Sequence, residues 1–194
     1  MQNISIPNSV TRIGNGAFSG CVSIASIIIP NSVTSIGRSA FNDCVSIKSI
    51  TIPDGVTSIE QYAFSGCTSL ASVTLPSSIE YIGDRAFSHC ESLTHIIIPN
   101  SVIEIRFSVF DKSTGSISIF YEGKYEQYNA LTCYENKKDI YCYSEIKPTS
   151  SGKYWHYVDG IPTIWQYLRQ RQFSPKVIYY VQMAAHNWCH SECF

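Results

Sequence analysis

The strongest constraint on the fold is a repeat of 23 residues. Five full units run from Ile6 to about Phe120, with a partial unit before them. The step is marked by Pro7, Pro30, Pro53, Pro76 and Pro99, by Phe18, Phe41, Phe64, Phe87 and Phe110, and by Cys21, Cys44, Cys67 and Cys90. A repeat of roughly 20–50 residues is the sequence signature of a solenoid or a similar array, in which each unit stacks on the next.

Each unit holds one strand segment and a turn-rich remainder. In the third unit, Leu70-Ala-Ser-Val73-Thr-Leu75 fits the L-x-x-L-x-L strand pattern of a leucine-rich repeat. Proline at the second position of the unit and glycine near the ninth exclude one long helix. One unit cannot bury its apolar side alone, so stacking of neighbours closes the core. We therefore predict a leucine-rich-repeat solenoid over residues 1–121, with parallel β-strands and a turn-rich convex side.

The repeated phenylalanines and cysteines are predicted to form internal columns. Equivalent residues of successive turns should lie ~4.8 Å apart, and burial of each phenylalanine stabilises by roughly 1.5–3 kcal/mol. The eight cysteines of the chain would also suit a disulfide framework in a secreted protein. A disulfide requires Cβ atoms roughly 3.5–4.5 Å apart, which is closer than stacked side chains lie. We therefore expect buried free thiols that act as small apolar side chains.

Outward positions of the predicted strands define a candidate ligand-binding face. They are the two neighbours of the buried residue in each strand, such as the neighbours of Ile27. This strand face consists of Ser26, Ile28, Ser49, Thr51, Ser72, Thr74, His95, Ile97, Ser118 and Phe120. Its side chains are mostly small and hydroxyl-bearing, with apolar residues toward both ends. The first hypothesis is a protein-binding scaffold whose binding depends weakly on salt.

The repeat resembles that of the BspA-type leucine-rich-repeat family, with the unit I-P-(N/D/S)-S-V-x-x-I-G-x-x-A-F-x-x-C-x-S-L-x-x-I. The similarity extends over about Ile4 to Phe120, and Ile140 to Trp165 resembles the segment that closes many bacterial members. Members are usually secreted or on the cell surface, and several are implicated in adhesion. The resemblance therefore implies an adhesin-like protein that binds a protein partner, such as a host surface or matrix protein. It implies no catalytic residue.

The first residues lead directly into a strand. Met1-Gln-Asn carries no charged n-region followed by an apolar h-region, so no secretory signal is visible in this chain. A bare first turn would expose Ile4, Ile6 and an open strand edge. We expect the chain to be the C-terminal portion of a longer protein that is extracellular or at the cell surface.

Residues 122–165 are predicted to form a small C-terminal cap of mixed helix and β-hairpin structure. Ser113 stands where earlier units have cysteine, so the repeat decays there, as is expected next to a cap. A short helix should follow Tyr121, then a strand around Ile140–Tyr143 and a hairpin that turns at Asp159-Gly160.

The aromatic residues of the cap have two interpretations. They would form a small core that seals the last repeat. Alternatively, some would stack on sugars in a glycan-binding or cell-wall-binding module, namely Tyr154, Trp155, Tyr157 and Trp165.

Residues 166–194 are predicted to form a poorly ordered tail. On a helix, one face of this tail would carry His186, Cys189, His190 and Cys193. Four ligands along two turns do not converge on one ion, because structural zinc sites draw ligands from separate elements. We therefore predict no metal site and no cofactor.

Composition and motifs exclude several classes of function. The formal net charge is -1 and charged residues make up 15% of the chain, which provides no basic field for nucleic acid. The longest apolar runs are far shorter than the ~20 residues of a membrane span. No G-x-S-x-G motif, phosphate-binding loop or convincing carboxylate pair is present, and Cys90 beside His89 belongs to the predicted core. We expect no enzymatic activity.

A third hypothesis is a structural one, in which the strand face is a flat array of hydroxyl groups. Ser49, Thr51, Ser72 and Thr74 resemble the flat hydroxyl arrays of ice-binding solenoids, but Ile28, His95 and Ile97 interrupt the array.

Overall fold

The computed structural model describes residues 2–113, 117–123, 127, 132–133, 140–144 and 153–164. The strands in these ranges are β1 (Gln2–Ser5), β2 (Arg12–Ile13), β3 (Ile24–Ile28), β4 (Ser35–Ile36), β5 (Ser49–Thr51), β6 (Ser58–Ile59), β7 (Ser72–Thr74), β8 (Tyr81–Ile82), β9 (His95–Ile98), β10 (Glu104–Ile105), β11 (Ser118–Tyr121), β12 (Thr132–Cys133), β13 (Ile140–Tyr143), β14 (Tyr154–Val158) and β15 (Ile161–Ile164).

The strands of the repeats form two rows along the solenoid. The long-strand row contains parallel pairs β1–β3, β5–β7, β9–β11 and β11–β13. The short-strand row contains parallel pairs β2–β4, β6–β8, β8–β10 and β10–β12. Within the repeats, paired residues lie one repeat apart, as Ser49 opposite Ser72 and Arg12 opposite Ser35 show. The predicted solenoid of stacked 23-residue turns with parallel strands is confirmed.

The turn side of each unit is also hydrogen-bonded to the next unit. The backbone N–H of Phe18 donates to the Ala40 carbonyl at 2.8 Å, and Phe41 donates in the same way to Ala63 at 2.8 Å. Each of these turns needs two left-handed residues, at Gly16, Gly20, Ser39, Asp43, Tyr62, Gly66, Arg85, His89, Ser108 and Lys112. Residues other than glycine adopt this conformation at a cost of roughly 1–2 kcal/mol, so the stacking hydrogen bonds hold them there.

The repeated phenylalanines form one continuous column in the core. Successive ring centroids from Phe18 to Phe110 lie 5.2, 5.3, 5.5 and 6.0 Å apart, with rings within 7° of parallel. Phe41, Phe64 and Phe87 are completely buried. The predicted phenylalanine column is therefore present.

The repeated cysteines are free thiols, and those of the second to fourth units are completely buried. Each of these three buried thiols donates to the carbonyl of the phenylalanine in the preceding turn, as in Cys67 to Phe41 at 3.2 Å and Cys90 to Phe64 at 3.3 Å. Ser113 makes the equivalent bond to Phe87 at 3.1 Å. The sequence pattern changes at Ser113, but the hydrogen bond to the preceding turn is kept because a hydroxyl replaces the thiol as donor.

These thiols predict a loss of stability at alkaline pH. Burial raises the pKa of Cys44 from 9.0 to about 11 and that of Cys90 to about 12, and it also raises the pKa of Cys67. Between the unfolded and folded pKa values the native state binds more protons, so stability falls as pH rises. Urea unfolding should show nearly constant stability from pH ~7 to pH ~8 and then a loss of up to ~1.4 kcal/mol per pH unit for each thiol.

The variant Cys67→Ser is the control for this pH dependence. It keeps a donor for the Phe41 carbonyl, as Ser113 does for Phe87, but it removes one titrating thiol. Its stability should fall less steeply above pH ~9 than that of the wild type. Parallel pH profiles for the two proteins would contradict this explanation.

A column of serines links successive turns on the surface, with one gap. Ser32 donates to the Val10 carbonyl at 2.7 Å, and Ser78 donates to Val56 at 2.6 Å. The third unit has Gly55 at this position. A Cβ atom there would lie 3.4 Å from the Val33 carbonyl oxygen and 3.2 Å from a methyl group of Thr34.

The variant Gly55→Ser is expected to raise the free energy of unfolding by about 1 kcal/mol, through a new hydrogen bond and a less flexible unfolded chain. Gly55→Ala is the matched control, because it adds the Cβ atom without the hydroxyl. In urea unfolding, Gly55→Ser should have a higher free energy of unfolding than Gly55→Ala. Equal stabilities would show that Thr34 prevents the hydroxyl from reaching Val33.

Beyond β11, the long-strand row continues into β13 and the β14–β15 hairpin. β13 and the hairpin lie where the sequence predicts them, and β14 pairs in parallel with β13. Asp159 and Gly160 have φ angles of 50° and 76°, the left-handed pair that a two-residue hairpin turn favours. The predicted tail, Trp165 and most of the predicted helix lie outside the described residues, and the domain boundaries stay predictions.

Candidate ligand-binding face

The structure brings the predicted strand-face residues together on the long-strand row. Those of the first turns are exposed, and Ile28 retains 65% of its accessible surface. Strand register aligns them in two columns, with Ser49 opposite Ser72 and Thr51 opposite Thr74. The exposed or half-buried members are Ser26, Ile28, Ser49, Thr51, Ser72, Thr74, His95, Ile97 and Ser118.

Phe120 departs from the prediction. Only 4% of its surface is exposed, and its ring centroid lies 5.7 Å from that of Tyr141 and 5.4 Å from that of Trp155. The predicted exposure of Phe120 is wrong because β13 and β14 bring aromatic side chains beside it. Val73 lies between Ser72 and Thr74 on β7, at the strand position where Ile27 is buried in the first unit, but Val73 is only half-buried.

Two further residues belong to the same face. Asn3 and Ser5 are exposed on β1, where Asn3 lies opposite Ser26 and Ser5 opposite Ile28. The partial first unit carries the same alternation as the full units, and that signal identifies them. We keep the name strand face for the extended set without Phe120.

The strand face carries no formal charge when His95 is neutral. The His95 side chain meets the Thr94 hydroxyl through Nδ1 at 3.3 Å and lies opposite Ser118. Loss of solvent around the imidazole lowers the pKa of His95 below its ordinary value of 6.5. The ring is therefore mainly neutral at pH 7, and the whole face is uncharged.

Charged side chains concentrate instead on the short-strand row and its turns. Arg106 forms a 2.9 Å bond with Glu104 and lies 3.7 Å from Asp84. Nearby, Arg85 donates to the Tyr62 hydroxyl at 2.8 Å. Solvent screens such pairs, so they contribute little to stability. These pairs lie on the short-strand row and its turns, and none of their members belongs to the strand face.

The burial of two cap aromatics favours the interpretation that they form a small core, and it disfavours the alternative of sugar stacking. Tyr154 is 7% exposed, and Trp155 is completely buried with its indole N–H donating to the Tyr121 carbonyl at 2.9 Å. The prediction that a ring face of Tyr154 or Trp155 meets a sugar is therefore wrong. Tyr157 is exposed, and Trp165 lies outside the described residues.

Metal sites and membrane spans were sought among the residues that the structure describes. None of its His, Cys, Asp or Glu side chains form a group of three or more that would hold a metal ion. Within the same residues there is no helix with the length and apolar character of a membrane span.

Parallel strands at a 23-residue step around a phenylalanine column define a leucine-rich-repeat solenoid. The sequence profile of the BspA type leucine rich repeat region matches residues 1–117 in six copies. The chain belongs to this family. No curated protein matches it.

Solved structures share the fold. A leucine-rich cell surface protein from Faecalibacterium prausnitzii is 39% identical with a TM-score of 0.65, over 69% of this chain and 35% of that one. A leucine-rich repeat protein from Bacteroides ovatus is 30% identical with a TM-score of 0.60, over 73% and 37%. The leucine-rich repeat protein of T. pallidum is 29% identical with a TM-score of 0.59, over 73% of both chains. The matches therefore span about a third of the first two proteins.

Proposed function

We propose that this chain is a non-catalytic protein-binding scaffold and that its partner contacts the strand face. The observation that carries the proposal is the distribution of charge. An uncharged surface extends over successive turns of the long-strand row, while the ion pairs lie on the short-strand row and its turns. The interior of protein interfaces is likewise depleted of charged residues.

The side chains of the strand face suit a protein partner. Serine and threonine hydroxyls act as donors and acceptors at once, so they pair with backbone groups of either kind. Ile28 at one end and Ile97 toward the other add apolar surface that a partner would remove from water. Because the strands are held by neighbouring turns, little ordering is needed when a partner binds.

The setting of the partner is proposed from the family. The F. prausnitzii relative is described as a cell surface protein. By that likeness we propose that this chain belongs to a cell-surface or secreted, adhesin-like protein. Its partner would then be a protein outside the cell, such as a host surface or matrix protein.

A binding panel tests the function. The chain would be applied to purified extracellular-matrix proteins and to intact epithelial cells, at about 50 and about 500 mM sodium chloride. Because the strand face is uncharged, binding to at least one target should change less than about twofold between the two salt concentrations. Absence of binding to every target, or a loss of tenfold or more at high salt, would contradict the proposal.

A further inference from the structure

One aromatic side chain on the hairpin is exposed and yet firmly positioned. Tyr157 retains 41% of its surface, while its ring packs edge-on against Trp155 with centroids 4.8 Å apart. Its ring also lies 6.1 Å from that of Tyr143, and its hydroxyl donates to Oε1 of Glu122 at 2.9 Å. An exposed ring that is already ordered loses little conformational entropy when a ligand stacks on it.

We propose that Tyr157 and Glu122 form a binding site for a neutral carbohydrate at the hairpin end of the long-strand row. The exposed part of the Tyr157 ring would contact the apolar C–H face of a sugar. The Glu122 carboxylate has room for further hydrogen bonds, since a carboxylate offers about four lone-pair sites and Tyr157 uses one. A sugar hydroxyl would donate to this carboxylate beside the stacked ring. An apolar platform with a few placed polar groups is the usual composition of a small-ligand site.

The chemistry around the ring favours a neutral sugar over two other ligands. An anionic sugar would meet the Glu122 carboxylate, and like charges repel. A proline-rich peptide offers mainly carbonyl acceptors, because proline lacks the backbone N–H. The indole N–H of Trp155, the donor that such a peptide needs, is already bonded to the Tyr121 carbonyl at 2.9 Å. A sugar instead supplies hydroxyl donors, which match the acceptor that the site presents.

The site is narrower than the one predicted from sequence. Tyr154 and Trp155 are buried, so a single ring remains available among the described aromatics of that set. One stacking platform and one carboxylate give weak binding, and we expect a Kd of about 1 mM. The interaction would gain strength where several copies meet a polymer.

The test is an NMR titration of the full chain with a cello-oligosaccharide and with a chito-oligosaccharide. At least one sugar should shift resonances of Tyr157 and its strand neighbours. Tyr157→Phe keeps the ring and should bind within about threefold of the wild type, whereas Tyr157→Ala should weaken binding tenfold or more. Tyr62→Ala is the control, because Tyr62 is a half-buried tyrosine on the short-strand side, and it should leave the affinity unchanged.

A second variant keeps the test decisive if Tyr157→Ala disturbs the hairpin. Glu122→Ala leaves the aromatic rings in place and should weaken sugar binding about fivefold. The proposal is overturned if neither sugar shifts these resonances, or if both variants bind as the wild type does. It is also overturned if a proline-rich peptide shifts them and the sugars do not.

Discussion

Replacing Phe64 by alanine is expected to lower the free energy of unfolding by about 3–5 kcal/mol. Phe64 is completely buried and stacks between Phe41 at 5.3 Å and Phe87 at 5.5 Å. Removal of its ring leaves a cavity in the middle of the column. Because each turn of a solenoid is stabilised mainly by its neighbours, the loss weakens both adjoining interfaces. Urea unfolding followed by far-ultraviolet circular dichroism measures the effect.

Phe18→Ala is the matched control for this prediction. Phe18 begins the same column and is half-buried, with its ring 5.2 Å from that of Phe41. The same change of side chain therefore removes less buried surface, and the cost should be about 1–2 kcal/mol. Equal costs at the two positions would show that the column does not behave as a stack of coupled neighbours.

Replacing Trp155 by alanine is the second large effect. The side chain is completely buried, and its indole N–H bonds the Tyr121 carbonyl at 2.9 Å. Alanine removes this donor and the ring that packs on Phe120 and Tyr143. We expect a loss of about 3–5 kcal/mol and faster amide hydrogen exchange in β14 and β15.

Trp155→Phe separates packing from hydrogen bonding. It keeps an aromatic ring against Phe120 but leaves the Tyr121 carbonyl without the indole donor. The free energy of unfolding of Trp155→Phe should lie between those of the wild type and Trp155→Ala. About 1–3 kcal/mol of its loss should come from the buried carbonyl that has lost its donor. A cost below about 1 kcal/mol for Trp155→Ala would mean that the hairpin does not seal the last turns.

The repeat made most of the fold predictable. Once proline, phenylalanine and cysteine recur at one step, stacking of equivalent positions follows from geometry, and the columns appear at Phe41, Phe64 and Phe87 as predicted. The hairpin was predictable for a local reason, because Asp159-Gly160 fits a two-residue turn. These signals lie within one unit or one turn of chain.

The features that the sequence did not reveal depend on contacts between segments that are distant in the chain. The burial of Phe120 follows from the placement of Tyr141 and Trp155 beside it, which no local pattern reveals. The sequence also does not predict the left-handed backbone at Ser39 and Tyr62, because glycine is the residue that usually marks this conformation. No local pattern shows that Ser113 can replace cysteine as the donor of a hydrogen bond to the previous turn.

The orientation and the neutrality of the candidate site were both predictable from the sequence, whereas the position of the ion pairs was not. Alternation along each strand places Thr51 and Thr74 outward, and the structure places them so. Arg85 bonds Tyr62, and Arg106 pairs with Asp84 and Glu104, on the short-strand row and its turns. These contacts depend on the two strand rows of the solenoid. The placement of these contacts on the short-strand row and its turns therefore emerged only from the fold.

The most direct test of the proposed function compares two equivalent substitutions, one on the long-strand row and one beside the short-strand row of the solenoid. Thr51→Arg places a charge in the middle of the strand face, and Thr57→Arg places the same charge on an exposed residue beside the short-strand row. Binding to a panel target that the wild type recognises should weaken at least tenfold in Thr51→Arg, because a partner would have to desolvate the new charge. Thr57→Arg should bind as the wild type does. Equal affinities for the two variants, or a loss confined to Thr57→Arg, would contradict the assignment of the strand face as the binding surface.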